Sequence, residues 1–139
     1  MATTRNANAH WEGTLLEGQG TVEMSSSGVG TFPITWASRA ETADGRTSPE
    51  ELIAAAHASC FSMALSNGLA KAGTPATTLD TSVEVDFQPG VGITEIRITL
   101  SGVVDGLDDA GLAAAAEVAK SNCPVSKALA AVPILLNVV

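Results

Sequence analysis

Apolar positions in the first third of the chain fall in short pieces, residues 10–16, 20–24 and 29–36, broken by glycine and polar residues. Bounded by turn formers such as Ser25-Ser26-Ser27-Gly28, these pieces predict a three-strand meander. Pro33 has no amide to give a strand ladder, so the third piece is expected at a sheet edge, or irregular there. Residues 38–48, SRAETADGRTS, then read as a polar loop carrying Arg39 and Arg46.

A helix start follows. Ser48 can cap, Pro49 suits the first helical position, and Glu51 stands three after Ser48, completing a capping box. The pattern carries the helix to Lys71 or Gly73, with no charge between Leu52 and Ala70. Such a run resembles a membrane span, but His57, Ser59, Ser62, Ser66, Asn67 and Gly68 dilute it, and a buried helix of a water-soluble domain fits better. It is apolar nearly all round, more than one sheet can cover, and this predicts a partner chain.

Val83, Val85 and Phe87 alternate with acids, and Ile96, Ile98 and Leu100 alternate with Glu95, Arg97 and Thr99. Both segments predict half-buried strands joined through Gln88-Pro89-Gly90-Val91-Gly92. An alanine-rich helix is expected from Asp108 or Asp109 to Ser121, a short one from Cys123-Pro124 through Leu129, and a last strand over residues 133–139. The order βββ-α-ββ-α-α-β is an α+β arrangement, read as a single domain over residues 1–139.

The chain has 139 residues, 7 Lys+Arg against 15 Asp+Glu and a formal charge of −8. Its few bases are scattered, so no surface for nucleic acid or an acidic membrane is expected. The start of the chain has no signal-peptide core, and the 2 cysteines are too few for a secreted disulfide framework, so a reducing cytoplasm is the expected location.

Chemistry rests on Cys60, inside the long helix, and Cys123, at a helix start. Taken alone, Cys60 reads first as a small buried hydrophobe. Cys123 has the amides of a helix N-terminus to favour its thiolate. No C-x-x-C or H-x-x-x-H pair accompanies them, and neither metal nor cofactor is expected. His57, three before Cys60, leaves open an imidazole-activated thiol hydrolase. A non-enzymatic homodimeric binding or stress protein with structural cysteines stays open as well.

The run from Ser48-Pro49-Glu50-Glu51 through His57-Ala58-Ser59-Cys60-Phe61-Ser62-Met63, the Asn122-Cys123-Pro124-Val125-Ser126 motif and the opening Ala9-His10-Trp11-Glu12-Gly13 together resemble the OsmC/Ohr peroxiredoxins, in their OsmC branch. The resemblance extends over essentially the whole chain. It implies an interwoven homodimer and a thiol peroxidase acting on organic hydroperoxides and, less efficiently, on hydrogen peroxide. By that resemblance Cys60 is the peroxidatic thiol, Cys123 closes a disulfide with it, and a dithiol reductant, usually a dihydrolipoyl protein, resets the pair.

Arg39 matches the family's activating guanidinium and Glu50 the carboxylate that orients it, with Arg46 the alternative cation. No basic residue stands between Trp11 and Ser38, which excludes the Ohr arrangement of the arginine. A cation is needed because an ordinary thiol is mostly protonated at neutral pH and burial protonates it further. Glu50 and Cys60, ten positions apart, lie about 15 Å apart on one straight helix, so two crossing helices are expected to pair Glu50 of one chain with Cys60 of the other. Phe61, Met63 and Trp36 are candidates for an apolar pocket wall.

Overall fold

The computed structural model describes all of residues 1–139, and its elements run β1 (Asn8–Glu12), β2 (Gln19–Glu23), β3 (Thr31–Ile34), α1 (Trp36–Ala40), α2 (Pro49–Lys71), β4 (Ala76–Gln88), β5 (Gly92–Val104), α3 (Asp109–Asn122), α4 (Pro124–Ala128) and β6 (Ile134–Val138). The chain divides into two compact units, Met1–Pro49 and Glu50–Val139.

In the first unit β1, β2 and β3 form an antiparallel meander, and β3, with Pro33, is an edge strand as expected. Little of it is buried. Val22 alone of its large apolar side chains reaches the interior, while Trp11, Leu16, Val29 and Phe32 are exposed.

The helix α1 occupies what the sequence pattern gives as loop and strand end. Thr35 Oγ1 accepts the Ser38 amide at 3.0 Å, and Ser38 Oγ accepts the Thr35 amide at 3.0 Å. This reciprocal cap nucleates a single turn too short to show periodicity. Ser38 also donates to the Thr47 carbonyl at 3.1 Å, tying the returning loop to α1 and placing Arg39 in its last turn.

The second unit holds an antiparallel β4–β5 hairpin with β6 added parallel to β5. β4 and β5 each run for 13 residues, well beyond the alternating stretches read from sequence. The backbone ladder carries them past the point where side-chain alternation fades.

Helix α2 starts at Pro49 and stops where Gly73, at φ +83°, lets Thr74 donate to the Leu69 carbonyl and Gly73 to that of Ala70. A side chain would strain that left-handed position. His57, Phe61, Leu65 and Leu69 recur every fourth residue and form the buried stripe of α2. From this stripe Phe61, Leu65 and Leu69 share a core with Ile98 and Leu100 of β5, and with Leu112, Ala116 and Ala119 of α3. The opposite side of α2 is open, with Met63 66% exposed, so the apolar character read all round the helix is buried along one stripe only.

Candidate active site

Cys60 sits near the middle of α2, one position before Phe61 of the core stripe, and is half-buried. Cys123 closes α3 and opens α4, where Pro124 fills the first helical position, and it is fully buried. The chain brings these residues, 63 positions apart, side by side: both thiols are free and each perturbs the titration of the other.

The two sulfurs differ electrostatically. Burial pushes the Cys60 thiol above its ordinary value, the Val125 amide pulls it back, and the neighbouring Cys123 adds to the rise. None of these influences is a cation. Burial acts to raise Cys123 too, but there the Ser126 amide, the Cys60 thiol, the Ser126 hydroxyl and the Val125 amide outweigh it, and its thiol falls below the ordinary value. Although Cys123 makes no close capping hydrogen bond, the first-turn amides of α4 face its sulfur. Two coupled thiols titrate as a unit, so one sulfur's charge sets the cost of ionising the other.

Glu50 lies in the first turn of α2, 6% exposed, a little over two and a half turns of helix before Cys60. The helix therefore does not bring its carboxylate to that thiol. Arg39 belongs to the first unit and is half-buried. Arg46 is exposed there, paired with Asp44 at 3.3 Å.

His57 is fully buried, and its Nε2 lies 2.7 Å from Ser126 Oγ, while Nδ1 has no partner. Neither ring nitrogen engages Cys60, so the imidazole-activated hydrolase lacks its central hydrogen bond. Ser126 escaped the sequence reading as a functional residue. Its position three after Cys123 at a helix start was the available signal.

Phe61, expected in a pocket wall, is instead a fully buried core residue. Met63 lines an open cleft of about 500 Å³ with Ser66, Ala70 and Leu79, and Trp36 opens α1. No three His, Cys, Asp or Glu side chains cluster as metal ligands.

A sheet-and-helix unit carrying a helix-borne thiol beside a second thiol at a Cys-Pro helix start defines a class of small cysteine-based proteins. The family described as OsmC-like protein matches residues 42–137, and the chain belongs to it. It is 40% identical over 134 residues to Peroxiredoxin OsmC of Escherichia coli strain K12, covering 94% of this chain and 93% of that one, and equally to Peroxiredoxin OsmC of Shigella flexneri. Among solved structures, the organic hydroperoxide resistance protein OsmC of Legionella pneumophila matches with a TM-score of 0.73 at 26% identity, covering 99% of this chain and 98% of that one. The organic hydroperoxide resistance protein OhrB of Bacillus subtilis matches at 0.66 and 25% identity, covering 96% and 98%.

Proposed function

We propose that this chain reduces organic hydroperoxides, and hydrogen peroxide less efficiently, through Cys60 and Cys123. As an OsmC family member 40% identical to a peroxiredoxin over most of its length, it is a peroxiredoxin-type enzyme. The finer assignment is carried by one observation, the meeting of two free thiols from distant parts of the chain.

In this reading the Cys60 thiolate attacks one oxygen of the peroxide, the O–O bond breaks, and the alkoxide leaves and takes a proton. Cys60 becomes a sulfenic acid, which Cys123 condenses into a disulfide with loss of water. A dithiol, such as a dihydrolipoyl protein, then returns both thiols by exchange and is itself oxidised. Cys60 is the attacking sulfur because it is the less buried of the two.

Its raised pKa requires a cation, which we assign to Arg39, with Glu50 orienting the guanidinium. Both come from the partner in a cytoplasmic homodimer, each chain working as one OsmC-like domain. The open side of α2 and the exposed Trp11, Leu16, Val29 and Phe32 supply apolar surface for that assembly.

Stoichiometric tert-butyl hydroperoxide added to anaerobically reduced protein tests the chemistry. Two thiols should vanish per peroxide with a Cys60–Cys123 disulfide appearing, Cys60→Ser should consume no peroxide, and Cys123→Ser should consume one equivalent without recycling. Unchanged thiols in the native chain would favour a binding role instead.

A further inference from the structure

We propose that His57 and Ser126 are positioning residues for the second half of the cycle, forming a directed hydrogen-bond chain that holds Cys123 ready to attack oxidised Cys60. The inference rests on the cysteine roles proposed above and adds to them the groups that act through Cys123.

The chain starts at the imidazole. His57 Nε2 and Ser126 Oγ, 69 positions apart in sequence, meet at 2.7 Å with both side chains buried. Ser126 follows Cys123 by three residues on the first turn of α4, where side chains at the cap and third helical positions are neighbours. Its hydroxyl is among the groups that lower the Cys123 pKa, as a neighbouring donor does. In the proposed chain the hydroxyl gives its one proton to sulfur, Oγ accepts from the histidine, and the neutral imidazole carries its proton on Nε2. The partnerless Nδ1 is then a bare lone pair rather than a stranded N–H. Burial lowers the His57 pKa and keeps the ring in that neutral form.

A hydroxyl that accepts from an N–H is polarised and donates more strongly to the next atom. Ser126 thus gives the fully buried Cys123 sulfur a fixed, charge-favouring donor. In the step served, the Cys123 thiolate attacks the sulfur of the Cys60 sulfenic acid. The S–S bond forms, the S–O bond breaks, and hydroxide leaves with the bonding pair and becomes water with the proton that Cys123 released to solvent on ionising. The chain loses no proton of its own. It lowers the cost of keeping the nucleophile ionised and aimed.

Peroxide attack by Cys60 does not use this chain, so the two half-steps should separate. Reduced full-length protein is mixed with one equivalent of tert-butyl hydroperoxide, with and without dimedone to trap sulfenic acid, and quenched samples are read by intact mass. For Ser126→Ala, loss of the Cys60 thiol should stay within about twofold of the native rate, while disulfide formation slows roughly tenfold and the dimedone adduct accumulates, as for loss of one charge-assisted hydrogen bond. His57→Leu should behave alike. His57→Gln, which returns an N–H near the Nε2 position, should recover disulfide formation to within about threefold.

Native disulfide rates in a folded Ser126→Ala protein would overturn the proposal, as would equal failure of His57→Gln and His57→Leu. Native protein that consumes no peroxide would overturn the peroxidase reading itself, a result distinct from either.

Discussion

A buried histidine held neutral makes stability depend on pH. Burial lowers the His57 pKa from its ordinary 6.5, so the folded state resists a proton that the unfolded chain accepts. Its contribution is fully present above that ordinary value and is lost as pH falls through the lower folded value. Urea midpoints should therefore show His57→Gln less stable than the native chain at pH 8, with the gap closing as the buffer is taken down through 6 and 5. A gap independent of pH would mean that the imidazole is not held neutral. The same residue shows where sequence reasoning stops: a histidine three before a cysteine invites a catalytic dyad, yet the ring turns to a serine on another helix.

At the scale of elements, the buried stripe of α2 fixes Cys60. Phe61 is fully enclosed by the core that β5 and α3 complete, and the adjacent Cys60 is left at its margin. Phe61→Ala should cost about 3–5 kcal/mol in a denaturation midpoint series, whereas Val118→Ala, at a position 60% exposed on α3, should stay within about 0.5 kcal/mol. Equal effects would remove Phe61 from the centre of the core. On the outer face of the hairpin Arg97 bonds both carboxylate oxygens of Asp86, at 2.6 and 2.7 Å, and reaches Glu84 and Glu95. That one guanidinium answers three carboxylates on adjacent strands, easing the repulsion that the acidic composition would concentrate there.

At the scale of the whole molecule, the proposed function draws Arg39 and Glu50 from a second copy of the chain, since Glu50 sits far up the same helix from Cys60. Complementation tests the partner's contribution. Arg39→Ala and Cys60→Ser proteins, each inactive alone, should regain about a quarter of native activity after unfolding and refolding as an equal mixture, since half the dimers would be mixed and each would own one intact site. No recovery would place Arg39 beside the Cys60 of its own chain, or outside the chemistry.

Much of the architecture was legible in the residues. The Ser48-Pro49 helix start, the alternation through Ile96, Ile98 and Leu100, and the Cys-Pro helix start gave the order of the main elements. These are local signals, carried by neighbours within a turn or a strand pair. The α1 turn escaped because five residues held by a Thr35–Ser38 cap carry no period to detect. The sequence by itself determined which side chains can hold charge, break a peroxide bond or form a disulfide. Only the tertiary structure decided that Cys60 meets Cys123 and that His57 addresses Ser126, because contacts across more than 60 positions depend on how β5, α2 and α3 share one core, which no local pattern encodes.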